Sequence, residues 1–161
     1  MPVRSVTKDP KALTLTVVAE FPVPVERVWA AWADPRQLER FWGPPEWPAR
    51  FTEHALVAGG RAAYRMTGPD GTQSRGWWHF LHVDAPHGFE IEDGFADDTG
   101  APNPAMPTMR MRLTLEAIPG GTRMTTVSTF ASLEAMEQLV AMGMEEGIRA
   151  ALGQLDGVLA S

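Results

Sequence analysis

The chain has 161 residues, of which 44% are hydrophobic and 21% charged, and its formal net charge is -6 at pH 7. This length suits one domain, so we predict a single domain over residues 1–161 with its core at about residues 12–160. The acidic balance argues against nucleic acid and anionic membranes as partners. The absence of cysteine excludes disulfides, thiol catalysis and thiolate metal sites. With no signal peptide and no apolar run of the roughly 18 residues that span a membrane, we expect a cytoplasmic protein.

The first elements are predicted to be a strand and two short helices. Residues 1–10 are polar and charged, and we expect them to form a flexible lead-in. Residues 12–21 alternate in the manner of a β-strand. Residues 25–32 have the apolar spacing of a helix, and Asp34 followed by a proline predicts the N-terminus of a second helix, which runs through residue 41.

Six further strands are predicted after these helices. They cover residues 49–57, 61–67, 74–84, 88–95, 108–118 and 122–131. Consecutive strands that short turns connect, such as the turn Pro69-Asp70-Gly71, pair antiparallel. The segment around Met109 and Met111 alternates most regularly between apolar and polar residues. One face of the sheet is therefore apolar and needs a covering helix.

The last segment predicts one long amphipathic helix over Leu133–Leu159, capped by Ser132. Its apolar residues recur every three or four positions, as they do on one face of a helix. The segment also contains Gly143, Gly147, Gly153 and Gly157. Because each interior glycine costs about 1 kcal/mol relative to alanine, we interpret these glycines as sites of close packing against the sheet or as room for a ligand.

This order of elements resembles the START-like, helix-grip superfamily, also described as plant-allergen-like. The chain is most similar to bacterial proteins with the domain named for activators of the heat-shock-protein-90 ATPase. The similarity lies in FPVPVERVW at 21–29, ADP at 33–35, FWGPP at 41–45, the glycine pair 59–60 with PDG at 69–71, and GMEEG at 143–147. The resemblance implies an α+β fold: a curved antiparallel seven-stranded sheet around a long C-terminal helix, with two short helices after the first strand.

The resemblance implies several function classes, because fold does not fix function. The superfamily includes carriers of hydrophobic ligands, polyketide cyclases and aromatases, hormone receptors and a co-chaperone domain. Our leading interpretation is a small-molecule binding protein that holds a hydrophobic or aromatic ligand between the sheet and the C-terminal helix. A cyclase- or aromatase-like enzyme and a co-chaperone-like interaction module with a chaperone partner are the alternatives. The sequence leaves open whether turnover occurs and whether the protein is a monomer or a homodimer.

Aromatic and methionine side chains are the richest site signal, because ligand pockets are mostly apolar and methionine adapts to varied ligands. The predicted ligand-binding residues are Trp42, Tyr64, Met66, Trp77, His79, Phe80, Phe95, Met109, Met111, Met136, Val140 and Met144. Candidate polar anchors are Tyr64, Arg75, His79 and Thr126. Adjacent Trp77 and Trp78 must face opposite sides of a strand, and the sequence leaves open which one faces inward.

Signals for catalysis or metal binding are weaker. His79 and His82 form a His-x-x-His, but residues three apart on a strand face opposite sides, so we predict no metal site. The carboxylates between residues 90 and 98 lack the spacing of a calcium loop and are interpreted as solvated. Glu145 or Glu146 is a candidate acid or base at the cavity, and a solvated helix face paired to Arg149 is the alternative. We predict no catalytic residues and no cofactor.

Overall fold

The computed structural model describes residues 2–160 and contains eight strands and four helices. In chain order they are β1 (Val3–Asp9), β2 (Thr14–Phe21), α1 (Val25–Ala33), α2 (Pro35–Trp42), β3 (Ala49–His54), β4 (Arg61–Thr67), β5 (Gln73–Asp84), β6 (Gly88–Ala96), β7 (Met109–Ile118), β8 (Gly121–Phe130), α3 (Leu133–Ala141) and α4 (Met144–Ala160). No helix in this part of the chain is long and apolar enough to cross a bilayer.

All eight strands form one curved antiparallel sheet, in the order β1-β2-β8-β7-β6-β5-β4-β3. Alternation gives this sheet one apolar face. On β7, Met111, Leu113 and Leu115 are buried, whereas Arg110 and Arg112 are exposed; β2 and β8 alternate in the same way. The helices lie on the apolar side, where α1 contacts β7 and β8. The predicted α+β helix-grip fold is confirmed.

The number of strands differs from the prediction, because the expected flexible lead-in contains β1. This strand pairs antiparallel with β2, with Thr7 opposite Thr16. Most β1 side chains are exposed, so the segment lacks the apolar alternation by which a strand is recognised in a sequence. Backbone hydrogen bonds to β2 define it instead. The sheet therefore has eight strands and not seven.

Side chains of α2 protect the opposite edge of the sheet, at β3. The Phe51 N–H donates to Glu39 Oε2 at 2.7 Å, and the Phe51 carbonyl accepts from Arg36 Nη2 at 3.0 Å. Occupied backbone groups are unavailable to another chain. The start of α2 is as predicted, since the Asp34 side chain accepts a hydrogen bond from the Arg36 N–H and Pro35 occupies the first turn.

The predicted single C-terminal helix is divided into α3 and α4. Ser132 caps α3 as expected, accepting from the Ala135 N–H at 3.0 Å. After Met142 the chain passes through Gly143, whose φ of +90° lies in the left-handed region. Glycine at that position commonly ends a helix, because other residues meet a steric penalty there. A helix-period pattern continues across the break, which is why the sequence alone does not show it.

The other glycines of this segment do not pack closely against the sheet. A Cβ added to Gly147, Gly153 or Gly157 would meet no atom within 4 Å. Gly153 and Gly157 are exposed to solvent, so the interpretation of tight packing or ligand room is wrong for these two.

Two substitutions test this division of the helix. Gly143→Ala should lower the free energy of unfolding by about 1–2 kcal/mol, because alanine is strained in the left-handed region. Gly153→Ala should raise it by about 0.5–1 kcal/mol, because alanine favours a helix interior and has free space there. Chemical denaturation measures both. Equal effects of the two substitutions would contradict a helix break at residue 143.

Candidate ligand-binding cavity

A cavity lies between the N-terminal half of α4 and the inner face of the sheet. It has two chambers that share Asp93, Met109 and Met144, and each has a volume of about 240 Å³. Pockets for drug-sized ligands typically have roughly 300–1,000 Å³. A ligand of that size would therefore extend through both chambers.

Each chamber has its own lining. The loop chamber is lined by Tyr64, Asp93, Gly94, Phe95, Pro107, Met109, Leu139, Met142, Gly143 and Met144. The helix chamber is lined by Trp32, Phe41, Trp42, Pro44, Met66, Asp93, Met109, Met111, Thr126, Ser128, Met144, Gly147, Ile148, Ala151 and Leu152. Apolar side chains dominate both sets, and the few polar groups are well separated in sequence.

The chambers bring together seven of the twelve residues predicted from the sequence: Trp42, Tyr64, Met66, Phe95, Met109, Met111 and Met144. The other five lie elsewhere. Phe80 and Met136 are buried in the hydrophobic core, and Val140 packs against that core. Trp77 and His79 are on the outer face of β5. Residues that the sequence analysis missed, such as Trp32 and Ile148, follow the same helical apolar spacing as ordinary core residues.

Trp78, and not Trp77, is the inward member of the tryptophan pair. Trp78 is only 1% exposed. On the outer face, the Trp77 indole N–H donates to the Phe95 carbonyl at 3.1 Å. Its ring covers Gly94, where an added Cβ would lie 2.6 Å from the ring. A glycine at that position of β6 thus leaves the space that the Trp77 ring occupies.

The two histidines of the His-x-x-His share a face of β5, contrary to the prediction. The pairing with β6 shifts between Phe80 and His82, so that His79 lies opposite Glu92 and His82 opposite Glu90. The bulge adds one residue to β5, and this extra residue brings the side chains of His79 and His82 to the same face. Both histidines are exposed, and no group of three metal-ligating side chains occurs within residues 2–160.

Three tryptophans form an aromatic wall beside the helix chamber. Trp42 packs edge-on against Trp78 with ring centroids 4.8 Å apart, and Trp32 lies 6.0 Å from Trp42. The indole nitrogens of Trp32 and Trp78 are buried and have no hydrogen-bond partner among the described residues, whereas the Trp42 indole N–H faces the Tyr64 hydroxyl and acts to lower its pKa. A buried donor without an acceptor costs about 1–3 kcal/mol. Because Trp32 lines the chamber, an oxygen atom of a bound molecule or of water would offset part of that cost.

Among the residues that the structure describes, Asp93 is the one carboxyl side chain that lines either chamber. It lies on β6 between Trp78 and Met109 of the neighbouring strands. Its carboxyl makes no hydrogen bond or ion pair within residues 2–160, and burial raises its pKa to about 7. The sequence predicted Asp93 to be one of the solvated carboxylates. Its position two residues after the buried Ile91 was the available signal, since such residues share a face of a strand.

Tyr64 on β4 reaches toward Asp93 because the strand beside it carries a glycine. The Tyr64 ring lies over Gly76, where an added Cβ would come 2.3 Å from the phenol oxygen. Burial raises the pKa of Tyr64, and the charge of Asp93 raises it further. Tyr64 is therefore a neutral hydroxyl at physiological pH. Thr126 and Ser128 of β8, buried in the wall of the helix chamber, supply two more hydroxyls.

Glu145 is not a group of this cavity. Its carboxylate pairs with Lys8 Nζ at 3.3 Å and with Arg149 Nε at 3.4 Å. The hydrogen bond from Lys8 is the main cause that lowers the pKa of Glu145. Glu146 is exposed. The pairing of this helix face with Arg149, the alternative that the sequence left open, is the arrangement found.

The raised pKa of Asp93 predicts an unusual dependence of stability on pH. The ordinary pKa is 3.8 and the folded-state value about 7, so this group makes the protein less stable as pH rises from about 4 to about 7. Asp93→Asn should raise the free energy of unfolding at about pH 8 by roughly 1–3 kcal/mol, and at about pH 4 it should change little. Urea denaturation at both pH values measures this. The same difference at both values would show that Asp93 is ionised at its ordinary pKa.

Comparison with known proteins agrees with this architecture. The family model described as Activator of Hsp90 ATPase homolog 1-like protein matches residues 22–160. A solution structure of a protein from Arthrobacter aurescens is 54% identical, with a TM-score of 0.92, and the match covers 97% of this chain and 91% of that one. The crystal structure of Ms6760 from Mycobacterium smegmatis is 48% identical, with a TM-score of 0.91 and 98% and 97% coverage. None of the curated proteins compared with the chain matches it. The chain belongs to the family of Activator of Hsp90 ATPase homolog 1-like proteins, as its motifs predicted.

Proposed function

We propose that this protein binds a hydrophobic or aromatic small molecule in the two chambers beneath α4. The observation that carries the proposal is the cavity itself, with apolar walls, a few hydroxyl groups and the Trp32 indole N–H, which has no partner among residues 2–160. Burial of apolar surface would supply affinity at about 25 cal/mol per Å². The Trp32 indole N–H and the hydroxyls of Thr126 and Ser128 would orient the bound molecule.

Catalysis of the cyclase or aromatase type is a second candidate function, and Asp93 is the observation that favours it. A carboxyl with a pKa near 7 can both accept and donate a proton at neutral pH, as a general acid or base must. Such perturbed groups are common at active sites. Turnover that Asp93→Asn abolishes would distinguish this candidate from binding alone.

A protein-interaction module has less support. That function needs an exposed apolar patch, and the large apolar side chains exposed within residues 2–160 are Val57, Leu133 and Met142. Val57 follows β3, whereas the other two lie at the ends of α3. Met142 also lines the loop chamber, so its exposure is equally explained by a cavity entrance.

Filling the cavity from α4 tests the binding function. Gly147 lines the helix chamber, and an added Cβ there meets nothing within 4 Å. In Gly147→Leu the new side chain should occupy the chamber and weaken binding of 1-naphthalenemethanol, measured by calorimetry, by about tenfold or more, because lost apolar burial of about 1.4 kcal/mol is a factor of ten.

Gly153→Leu is the matched control, since Gly153 lies on the solvent side of the same helix. It should leave the affinity for the naphthalene probe unchanged, and both variants should unfold at or above the temperature of the original protein. Unchanged binding in Gly147→Leu, or no binding of the probe to the original protein, would argue against a ligand site in the helix chamber.

A further inference from the structure

Asp93 is the feature of the cavity that hydrophobic binding leaves unexplained. A purely apolar ligand would cover the carboxyl without offering it a partner, and covering an unpaired charge is strongly unfavourable. Among residues 2–160, no lysine, arginine or histidine lines either chamber. Within the described part of the chain Asp93 therefore has no cation to neutralise it, although ion pairs are plentiful on the outer surface, for example Arg112 with Glu90.

The side chains around Asp93 are of the types that attract a cation. Tyr64 lines the loop chamber and Trp42 lines the helix chamber, and the centroids of their rings are 6.0 Å apart. Aromatic faces stabilise a positive charge through the ring quadrupole, the more so when water is excluded. Met109 and Met144, which line both chambers, add polarisable sulfur atoms. An anionic ligand would meet the opposite conditions, with a carboxyl and no cation.

We propose that the ligand of this cavity is a hydrophobic amine, whose protonated nitrogen pairs with the carboxylate of Asp93 while its apolar body fills the helix chamber. The inference rests on the proposed function, because it names the ligand class of the same site. The ammonium N–H groups would donate to the Asp93 oxygens, and the rings of Tyr64 and Trp42 would border the charge.

Ionisation of Asp93 links amine binding to pH. Burial raises the pKa of Asp93 to about 7, so the carboxylate that the amine needs is formed as pH rises through that value. Tyr64 of β4 is the other titratable side chain of the lining, and its raised pKa keeps it neutral over this range. The lining residues of α1, α2, β7, β8, α3 and α4 include no titratable side chain. A neutral ligand that accepts a hydrogen bond from the protonated acid would show the opposite trend.

Two probes of equal shape test the inference. We would titrate the protein with 1-naphthylmethylamine, which is a cation at about pH 8, and with 1-naphthalenemethanol, which is neutral, and follow both by calorimetry. The amine should bind about tenfold or more tightly than the alcohol, because a desolvated ion pair with aromatic neighbours contributes at least that factor. In Asp93→Asn the amine should lose this advantage while the alcohol keeps its affinity.

Glu92→Gln is the matched control, because it removes one carboxylate from the neighbouring position of β6, which faces the other side of the sheet. It should preserve the preference for the amine. If the alcohol binds the original protein as tightly as the amine, the amine inference is overturned and the proposed function stands. If neither probe binds, both are overturned. Thermal melting of each variant shows that it is folded.

Discussion

The cavity depends on how α4 is attached to the rest of the fold. Gln154 Nε2 donates to the carbonyls of Phe41 and Gly43, at 3.2 and 2.6 Å, at the C-terminal end of α2. At the other end of the helix, Glu145 pairs with Lys8 of the edge strand β1. Leu155, fully buried, anchors the middle of α4 in the core. Because these contacts lie at α2 and at the sheet edge, the N-terminal half of α4 stands away from the central strands.

That attachment creates space, and the residues beneath it determine its chemistry. Apolar side chains of β7, α2 and α4 make most of the wall, so a water molecule finds few hydrogen-bond partners there. Asp93 is a carboxyl that weakens the fold at neutral pH, since its charge has no partner among residues 2–160. Groups that reduce stability in this way are common at sites where binding or catalysis needs them. The same reasoning applies to the indole N–H group of Trp32.

Much of this fold could be predicted from the sequence, because alternation and capping are local properties. The alternation of β7 and the caps at Asp34 and Ser132 are as predicted. The edge strand β1 could not be predicted, since its side chains are mostly exposed and only pairing with β2 defines it. The break at Gly143 follows from a backbone angle that the apolar period does not reveal.

The site was predictable as a type of lining more than as a set of residues. Methionines such as Met111 and Met144 were identified because soft apolar side chains suit a cavity. Trp77 and Trp78 could not be distinguished, because the direction of a strand residue depends on register. The bulge beside His82 reverses the face to which the following residues of β5 point, so that His82 lies on the same face as His79. Asp93 was missed because a carboxyl in an acidic stretch is usually solvated.

Methionine methyl groups offer the most direct test of the central claim that a ligand enters the space beneath α4. The measurement is an NMR titration of ¹³C-methyl-methionine protein with 1-naphthalenemethanol. We expect shifts at the methionines that line the chambers, which are Met66, Met109, Met111, Met142 and Met144. Met124 and Met136, which are buried in the core and line neither chamber, should shift much less. Shifts at the core pair alone, or no saturable shifts at the lining residues, would contradict a ligand-accessible cavity.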